Sequence, residues 1–267
     1  MPIEQKAAQP AKISAVLITR NEEAKLPDCL RSLSFVDEIV IVDSGSTDTT
    51  PQIAAQYGAR FIFHPFQNFA AQKNEAFRHA TEEWILSLDA DERISPELAE
   101  EIQAAVQNPQ GCNGFWIPRQ NYFFGTSMRH GAQAGDLQLR LICRGRGQFE
   151  GAVHERIKLQ GKSAALKAPM LHYSTENLED YLRRLSLYTD LEAEKIHSKG
   201  IPPTAVHIVL RPLAEFIYFY IFRLGFLDGL AGLQYQVLSS FYTSLKFMKA
   251  LELFKKTPQP LREKIAI

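Results

Sequence analysis

Asp89 and Asp91 close the short apolar run Trp84-Ile85-Leu86-Ser87-Leu88. Carboxylates at i and i+2 face the same side of a continuing strand. In a turn just beyond one, they can share a hard cation with a bound diphosphate. The same spacing also makes a solvated helix start, so the pair needs neighbours before it means chemistry. Asp43 is such a neighbour, closing the run Glu38-Ile39-Val40-Ile41-Val42; it either lines a ligand crevice or folds into an Asx turn over Ser44-Gly45. Thr19, Arg20 and Glu22 close a third apolar run, and Lys73-Asn74 lie at the start of a helical stretch. Polar residues at the exits of three strands predict a pocket there. Neither G-x-G-x-x-G nor G-x-x-x-x-G-K-S/T occurs. A phosphate bound here therefore needs a cation in place of a glycine cradle, and two carboxylates with Mg²⁺ or Mn²⁺ supply it.

The elements around these residues follow from their spacing. Trp84–Leu88, bounded by charged residues on both sides, reads as a buried parallel strand that delivers its acids to the C-terminal edge, where open α/β sheets bind ligands. Before it come a strand at Ile13–Thr19, a helix carrying Leu26, Leu30 and Leu33, and the strand ending at Asp43. Gly45 then suits a positive-φ turn, and Ser46 or Thr47 caps a helix with Ile53, Ala54 and Tyr57. A strand at Arg60–Phe63 and a helix from Phe69 to Ala80 complete four alternations, which predict βαβ units in a parallel sheet with helices on both faces. Ser95 and Pro96 start a further helix running to Val106; Gly114–Pro118 and Asp136–Cys143 read as strands, with Arg119–Gly135 as a long loop between them. From Ser174 an amphipathic helix places Leu178, Leu182, Leu185 and Tyr188 on one stripe and fades at Lys199-Gly200, before Pro202-Pro203. The expected layout is a flexible leader at 1–12, an α/β domain at 13–200 and a basic, aromatic helical region at 201–267.

Bulk composition narrows the class. Apolar content of 45% and charged content of 22% exclude wholesale disorder, and a net charge of zero argues against a nucleic-acid partner. The charge is unevenly spread: residues 1–204 hold 22 Lys/Arg against 26 Asp/Glu, and 205–267 hold 8 against 4. Three widely spaced cysteines suggest neither a disulfide framework nor a zinc motif, hence a reducing compartment, and Met1–Lys12 lacks the apolar core of a targeting segment. Residues 212–254 contain 11 aromatics punctuated by Arg211, Arg223, Lys246, Lys249, Lys255 and Lys256. Glu215, Arg223 and Asp228 break up the strongest apolar section, so no transmembrane span is expected. Helices of this composition over 205–256 suit an anionic membrane surface; a packed subdomain or a dimer face is the alternative, and an oligomer stays open. Gly225, Gly229 and Gly232 permit close helix approach under either.

The segment Val40-Ile41-Val42-Asp43-Ser44-Gly45-Ser46-Thr47-Asp48-Thr49-Thr50, taken with Asp89-Ala90-Asp91, resembles the inverting family 2 glycosyltransferases across residues 13–200. Their GT-A fold, a Rossmann-like mixed sheet flanked by helices, is what the resemblance implies. More narrowly, His64–Asn74, Gly151-Ala152-Val153-His154-Glu155 and Leu171-His172-Tyr173-Ser174 resemble the bacterial lipopolysaccharide core β-1,4-glucosyltransferases. The resemblance implies that Thr19, Arg20 and Glu22 line the nucleotide pocket and that Asp43 hydrogen-bonds uracil. Lys73 and Asn74 would lie near the donor, Asp89 and Asp91 would hold the metal–diphosphate, and Glu155 would be the general base. The family often shows two adjacent acids before the turn glycine, whereas the second here is Ser44. A Q-x-x-R-W signature of processive relatives is absent, which implies a single sugar transfer.

A carboxylate within about 3 Å of an acceptor hydroxyl can take its proton during attack on the anomeric carbon. Glu155 fits that task, with His154 as rival base and a surface acid as the plain alternative. His172 either coordinates the metal, donates to diphosphate or is a structural histidine. Arg140 and Arg144 flank a strand end, where they either meet acceptor phosphates or solvate an edge. The expected activity is metal-dependent, inverting transfer of one hexose, glucose by preference, from a UDP-sugar to a lipopolysaccharide core sugar on lipid A. That acceptor is lipid-anchored and places a peripheral enzyme on the inner, cytoplasmic face of the membrane. Transfer to polyprenyl phosphate or another glycan, and a non-catalytic sugar-nucleotide-binding scaffold, are the alternatives.

Overall fold

The computed structural model describes residues 10–151, 155–175 and 177–256, with Asp180 described by its backbone alone. Nine residues of the expected leader, His154 and residues 257–267 lie outside the described residues. The chain forms two compact bodies: one runs to Gln120 and takes in Gly135–His172, the other comprises Asn121–Ala134 and the chain from Tyr173.

In the first body the predicted alternation is present as β1 (Ile13–Thr19), α1 (Leu26–Arg31), β2 (Glu38–Asp43), α2 (Thr50–Gln56), β3 (Arg60–Phe63), α3 (Phe69–His79) and β4 (Trp84–Asp89). Strands β3, β2, β1 and β4 lie side by side and parallel. The short β5 (Glu92–Arg93), α4 (Pro96–Gln107), β6 (Cys112–Phe123) and β8 (Leu137–Cys143) follow, with β7 (Thr126–Met128) between the last two. Strand β8 joins β4 antiparallel and β6 joins β8 antiparallel, so the sheet is mixed. The strands β9 (Gly147–Glu150) and β10 (Arg156–Leu159) pair with each other; β11 (Lys162–Ala165) pairs with β6, and β12 (Met170–Thr175) sets His172 opposite Glu92 of β5.

Side-chain alternation along β1 explains the layering. Ala15 and Leu17 pack with Leu26 and Leu30 of α1, Ala54 of α2 and Leu98 and Ile102 of α4, while Val16 packs on the opposite face with Ala76 of α3. Each fully buried leucine contributes about 1.5–3 kcal/mol relative to exposure, enough to fix which face is inward. The helix starts are set by side chains: Asn68 accepts from Ala71 N at 2.8 Å, and Ser95 accepts from Leu98 N at 3.2 Å with Pro96 just behind it.

Three local expectations are corrected. Helix α2 begins at Thr50 behind Thr49, and neither Ser46 nor Thr47 caps it: Asp48 Oδ1, two residues before the helix start, accepts from Thr50 N, while Ser46 Oγ donates to Asp43. Arg119–Gly135 is not one loop: β6 continues to Phe123 and turns back into β7 through Phe124-Gly125, both at positive φ. In the second body α5 (Leu178–Ser198) buries Leu185, Thr189 and Ala193, while Leu178, Leu182 and Tyr188 are exposed. The second body is completed by two helices, α6 (Val206–Phe222) and α7 (Gly229–Lys256). No single helix among the described residues is long and apolar enough to cross a membrane.

Candidate functional site

Parallel pairing brings Thr19, Asp43 and Asp89 to neighbouring strand ends: Thr19 lies opposite Asp43, and Ile18 opposite Asp89. Asp43 is 1% exposed. Its carboxylate accepts from Thr19 Oγ1 at 2.8 Å, Gly45 N at 2.8 Å, Ser46 N at 2.7 Å and Ser46 Oγ at 2.5 Å. That is the Asx-turn alternative realised, with Gly45 at φ +98°. The loops after β1 and β2 are then laced together. Asn21 Oδ1 accepts from Thr47 N at 2.8 Å, Thr50 Oγ1 accepts from Glu22 N at 2.9 Å, and Glu23 accepts from Thr49 N and Oγ1. Arg20 sits exposed at this rim, and no contact links it to Asp89 or Asp91 among the described residues.

A denser network lies at the end of β4. Asp89 Oδ1 is 3.0 Å from Lys73 Nζ and Oδ2 accepts from Arg140 Nη2 at 2.7 Å. Glu92, wholly buried, meets Arg140 Nη2 at 2.6 Å and Arg119 Nη1 at 3.3 Å, and its Oε2 accepts from Asp89 N at 2.9 Å. Burial resists the ionisation of Asp89, but the charges of Arg140 and Lys73 outweigh it and hold its carboxyl far below the usual carboxylate range. For Glu92 burial dominates and, aided by the Asp89 charge, pushes its carboxyl up despite Arg140. Arg140 belongs to this buried network and does not solvate a strand edge; Arg144 is the exposed one, donating to Glu82 O at 2.9 Å.

Asp91 stands apart from that network. Its Oδ1 is 3.6 Å from His172 Nε2 and its Oδ2 is 3.7 Å from Lys25 Nζ. Burial pushes the His172 imidazole down to about 4, against the opposing pull of Asp91, so the ring is neutral at pH 7. A neutral imidazole nitrogen facing a carboxylate is a donor pair suited to a divalent ion. No group of three or more acids, histidines or cysteines able to hold a metal occurs among the described residues. Asp91 Oδ1 and His172 are the groups that would hold a cation here, with Asp91 Oδ2 turned to Lys25, while both oxygens of Asp89 face the cationic side chains of Lys73 and Arg140.

Helix α3 connects this centre to Glu155. Lys73 Nζ is 3.0 Å from Glu155 Oε1 as well as from Asp89 Oδ1. Asn74 is occupied structurally: its Oδ1 accepts from Phe149 N at 2.8 Å and its Nδ2 donates to Phe149 O at 2.9 Å. Adjacent residues on one helix thus tie down both ends of the 149–155 segment. Of the residues expected from sequence, Lys73, Asp89 and Glu155 are brought into contact, as are Asp91 with His172 and Thr19 with Asp43. Lys25, Glu92 and Arg119 were not expected, and Arg140, expected to meet acceptor phosphates or solvate an edge, instead holds Asp89 and Glu92; of the unexpected three, only Glu92, directly after Asp91, carried a local signal.

Comparison with known proteins shows the family of the chain. The family model described as glycosyl transferase family 2 matches residues 14–165, more than half of the chain. A lipopolysaccharide core biosynthesis glycosyltransferase, LpsC of Rhizobium meliloti, is 30% identical over 244 residues, covering 85% of this chain and 90% of its own. An uncharacterized glycosyltransferase of Rickettsia typhi is 26% identical over 259 residues, covering 92% and 89%. Among solved structures, S. aureus TarS 1-349 is similar with a TM-score of 0.46 at 17% identity, covering 91% of each chain. The glucosyl-3-phosphoglycerate synthase of Mycobacterium tuberculosis, solved with Mn2+ and UDP-glucose, has a TM-score of 0.36 at 23% identity; the match covers 42% of this chain and 44% of that one. The chain belongs to glycosyl transferase family 2 and is a sugar-nucleotide-using glycosyltransferase with a GT-A-like mixed sheet.

Proposed function

We propose that the protein transfers one hexose, glucose, from a UDP-sugar to a lipopolysaccharide core sugar on lipid A, with inversion, as a peripheral enzyme on the inner face of the cytoplasmic membrane. The observation that carries this reading is the Lys73 bridge, which holds Glu155 and Asp89 on one ammonium group. The bridge keeps a carboxylate able to take a proton beside the acid that ends β4, so base and donor side stand together for a single displacement. The relative from Rhizobium meliloti, named for lipopolysaccharide core biosynthesis, supports the choice of acceptor.

The chain's own residues divide the work. Glu155 takes the proton of the acceptor hydroxyl as it attacks the anomeric carbon. Lys73 keeps the Glu155 carboxylate turned toward the centre, and Arg140 with Glu92 fixes the turn bearing Asp89 and Asp91. The laced loops around Asp43 give the nucleoside a rigid floor, so little ordering is lost on binding. Mg²⁺ or Mn²⁺ held by Asp91 and His172 would offset the negative charge on the departing UDP.

A donor and acceptor screen tests the reading. UDP release is measured with UDP-glucose, UDP-galactose and UDP-N-acetylglucosamine, each with Mg²⁺ or Mn²⁺, against truncated lipopolysaccharide and against polyprenyl phosphate. Acceptor-dependent release from UDP-glucose with the core acceptor, giving a β-linked product, is the expected result. Release only with polyprenyl phosphate, or an α-linked product, overturns it.

A further inference from the structure

In the second body, α6 turns its apolar side chains outward. Val206, Val209, Leu210, Leu213, Ile217 and Ile221 recur at three- and four-residue spacing and are all exposed, the least of them, Ile217, by 39%. Exposed apolar side chains follow on both sides of the break after Phe222, itself 72% exposed: Leu224, Phe226, Leu227 and Leu230, the last at 70%. An apolar strip of this extent is far beyond the scattered exposed residues of an ordinary surface and marks an interaction site.

Charge is sorted along the same elements. Residues 229–245 of α7 contain no Lys, Arg, Asp or Glu, while Lys246, Lys249, Glu252, Lys255 and Lys256 follow in its last turns, a net excess of positive charge in which Lys249 pairs with Asp190 and Lys256 with Glu252, each at 2.7 Å. Seventeen helical residues span about 25 Å, and one leaflet's hydrocarbon is about 15 Å deep. Two acids interrupt the apolar stretch, and both are held by partners. Asp228, 4% exposed at its side chain, accepts from Arg129 N at 3.1 Å and His130 N at 2.9 Å and meets His130 Nδ1 at 2.7 Å. Glu215 is held by Arg211 Nε and Thr243 Oγ1, each at 2.9 Å.

The bend between the helices is built in. Val206–Phe222 and Gly225–Lys256 are bent by 74° at the break between them, and a Cβ on Gly232 would stand 2.1 Å from Gly225 O, so the close approach there requires glycine. A bent pair with an apolar outer strip, shielded acids and a cluster of lysines at one end matches a phospholipid leaflet better than a second protein surface. Lysines at the polar end complement anionic headgroups, and lipid chains adapt to a strip that crosses a bend.

We propose that the outer face of Val206–Leu230 inserts into the interfacial zone of an anionic leaflet, with Lys246, Lys255 and Lys256 at headgroup level. This deepens the lipid-anchored-acceptor part of the proposed function; its readout involves no sugar transfer, so either can fail alone.

The full chain is mixed with vesicles of phosphatidylglycerol and phosphatidylcholine whose acyl chains carry bromine. Trp emission added by Phe222→Trp is quenched by the brominated chains, and emission of the wild type, from Trp84 and Trp116, is unchanged. In sedimentation with unbrominated vesicles, the triple variant V209S/L213S/L230S loses about tenfold or more in partitioning while keeping its helical circular dichroism. Adsorption without quenching overturns the proposal, as does unchanged partitioning of the folded triple variant. A lipid-independent dimer that the same substitutions disperse also overturns it and assigns the face to a second copy. Where the triple variant does not fold, the quenching result decides.

Discussion

Arg140 reaches across the end of β4 to place its Nη2 2.7 Å from Asp89 Oδ2, and the same nitrogen is 2.6 Å from Glu92 Oε1. One buried cation therefore holds the acid that ends the strand and the acid that begins β5, fixing the turn between them. Replacing Arg140 by Met leaves two carboxylates in a buried site with half their compensation. Breaking such a pair costs about 3–5 kcal/mol. Urea unfolding of Arg140→Met should show a midpoint lowered accordingly, with the slope unchanged, and Arg140→Lys should recover part of the loss. A midpoint equal to the wild type's would remove Arg140 from the support of the site.

Glu155 and Asp89 share Lys73, so substitutions at the two ends of this bridge should separate chemistry from architecture. Glu155→Gln keeps the shape and loses the base. Its transfer rate should fall by about 10²–10⁴ while UDP-sugar affinity stays within a few fold. Lys73→Met should lower the rate and also the thermal midpoint, because it strands two carboxylates. Steady-state kinetics beside calorimetric donor binding reads both, and near-normal turnover in Glu155→Gln rejects the base assignment.

The strand-end residues were legible in the sequence because their signal is local. Apolar runs ending in Thr19, Asp43 and Asp89 place those side chains by strand geometry alone, and the family resemblance added Glu155 and His172. Arg140 was readable only as a strand-end cation for acceptor phosphates or an exposed edge; its hold on Asp89 and Glu92 was not, because those partners are 51 and 48 residues away, reached only once β8 pairs antiparallel with β4. The β6–β7 hairpin was missed for a turn-chemistry reason: its two positive-φ residues are Phe124-Gly125, where Asn-Gly or Asp-Gly is the readable signal. In α5 the 3.6-residue period allowed more than one stripe. Packing on α7 chose Leu185, Thr189 and Ala193, a face that includes a threonine satisfied by the Leu185 carbonyl at 2.7 Å.

Metal dependence should trace to Asp91 and His172, whose facing atoms are 3.6 Å apart. Excess chelator should abolish transfer, and added Mg²⁺ or Mn²⁺ should restore it. His172→Ala removes one ligand without removing charge, so the metal concentration for half-maximal rate should rise about tenfold or more, by analogy with loss of ligand support at other sites. Asp91→Asn should raise it further. Full turnover in chelator, or metal titrations of both variants that superimpose on the wild type, would contradict this assignment.

Glu38, at the start of β2, ties three segments together: its Oε2 accepts from Ser14 Oγ, and from Thr81 N at 2.8 Å and Thr81 Oγ1 at 3.0 Å. Partial burial opposes its ionisation, but the Ser14 and Thr81 hydrogen bonds outweigh that and lower its carboxyl below the ordinary value. An acid held lower in the folded chain than in the unfolded one stabilises the fold above the unfolded value, about 4.3, and that contribution disappears as pH falls through the folded value. Glu38→Gln should therefore cost about 1 kcal/mol at pH 7, a few degrees in thermal midpoint for a chain of this size. The gap from wild type should close progressively below about pH 4. Thermal melts between pH 7 and pH 3 check this; a gap that stays constant across the range would show that the hydrogen bonds do not depend on the carboxylate's charge.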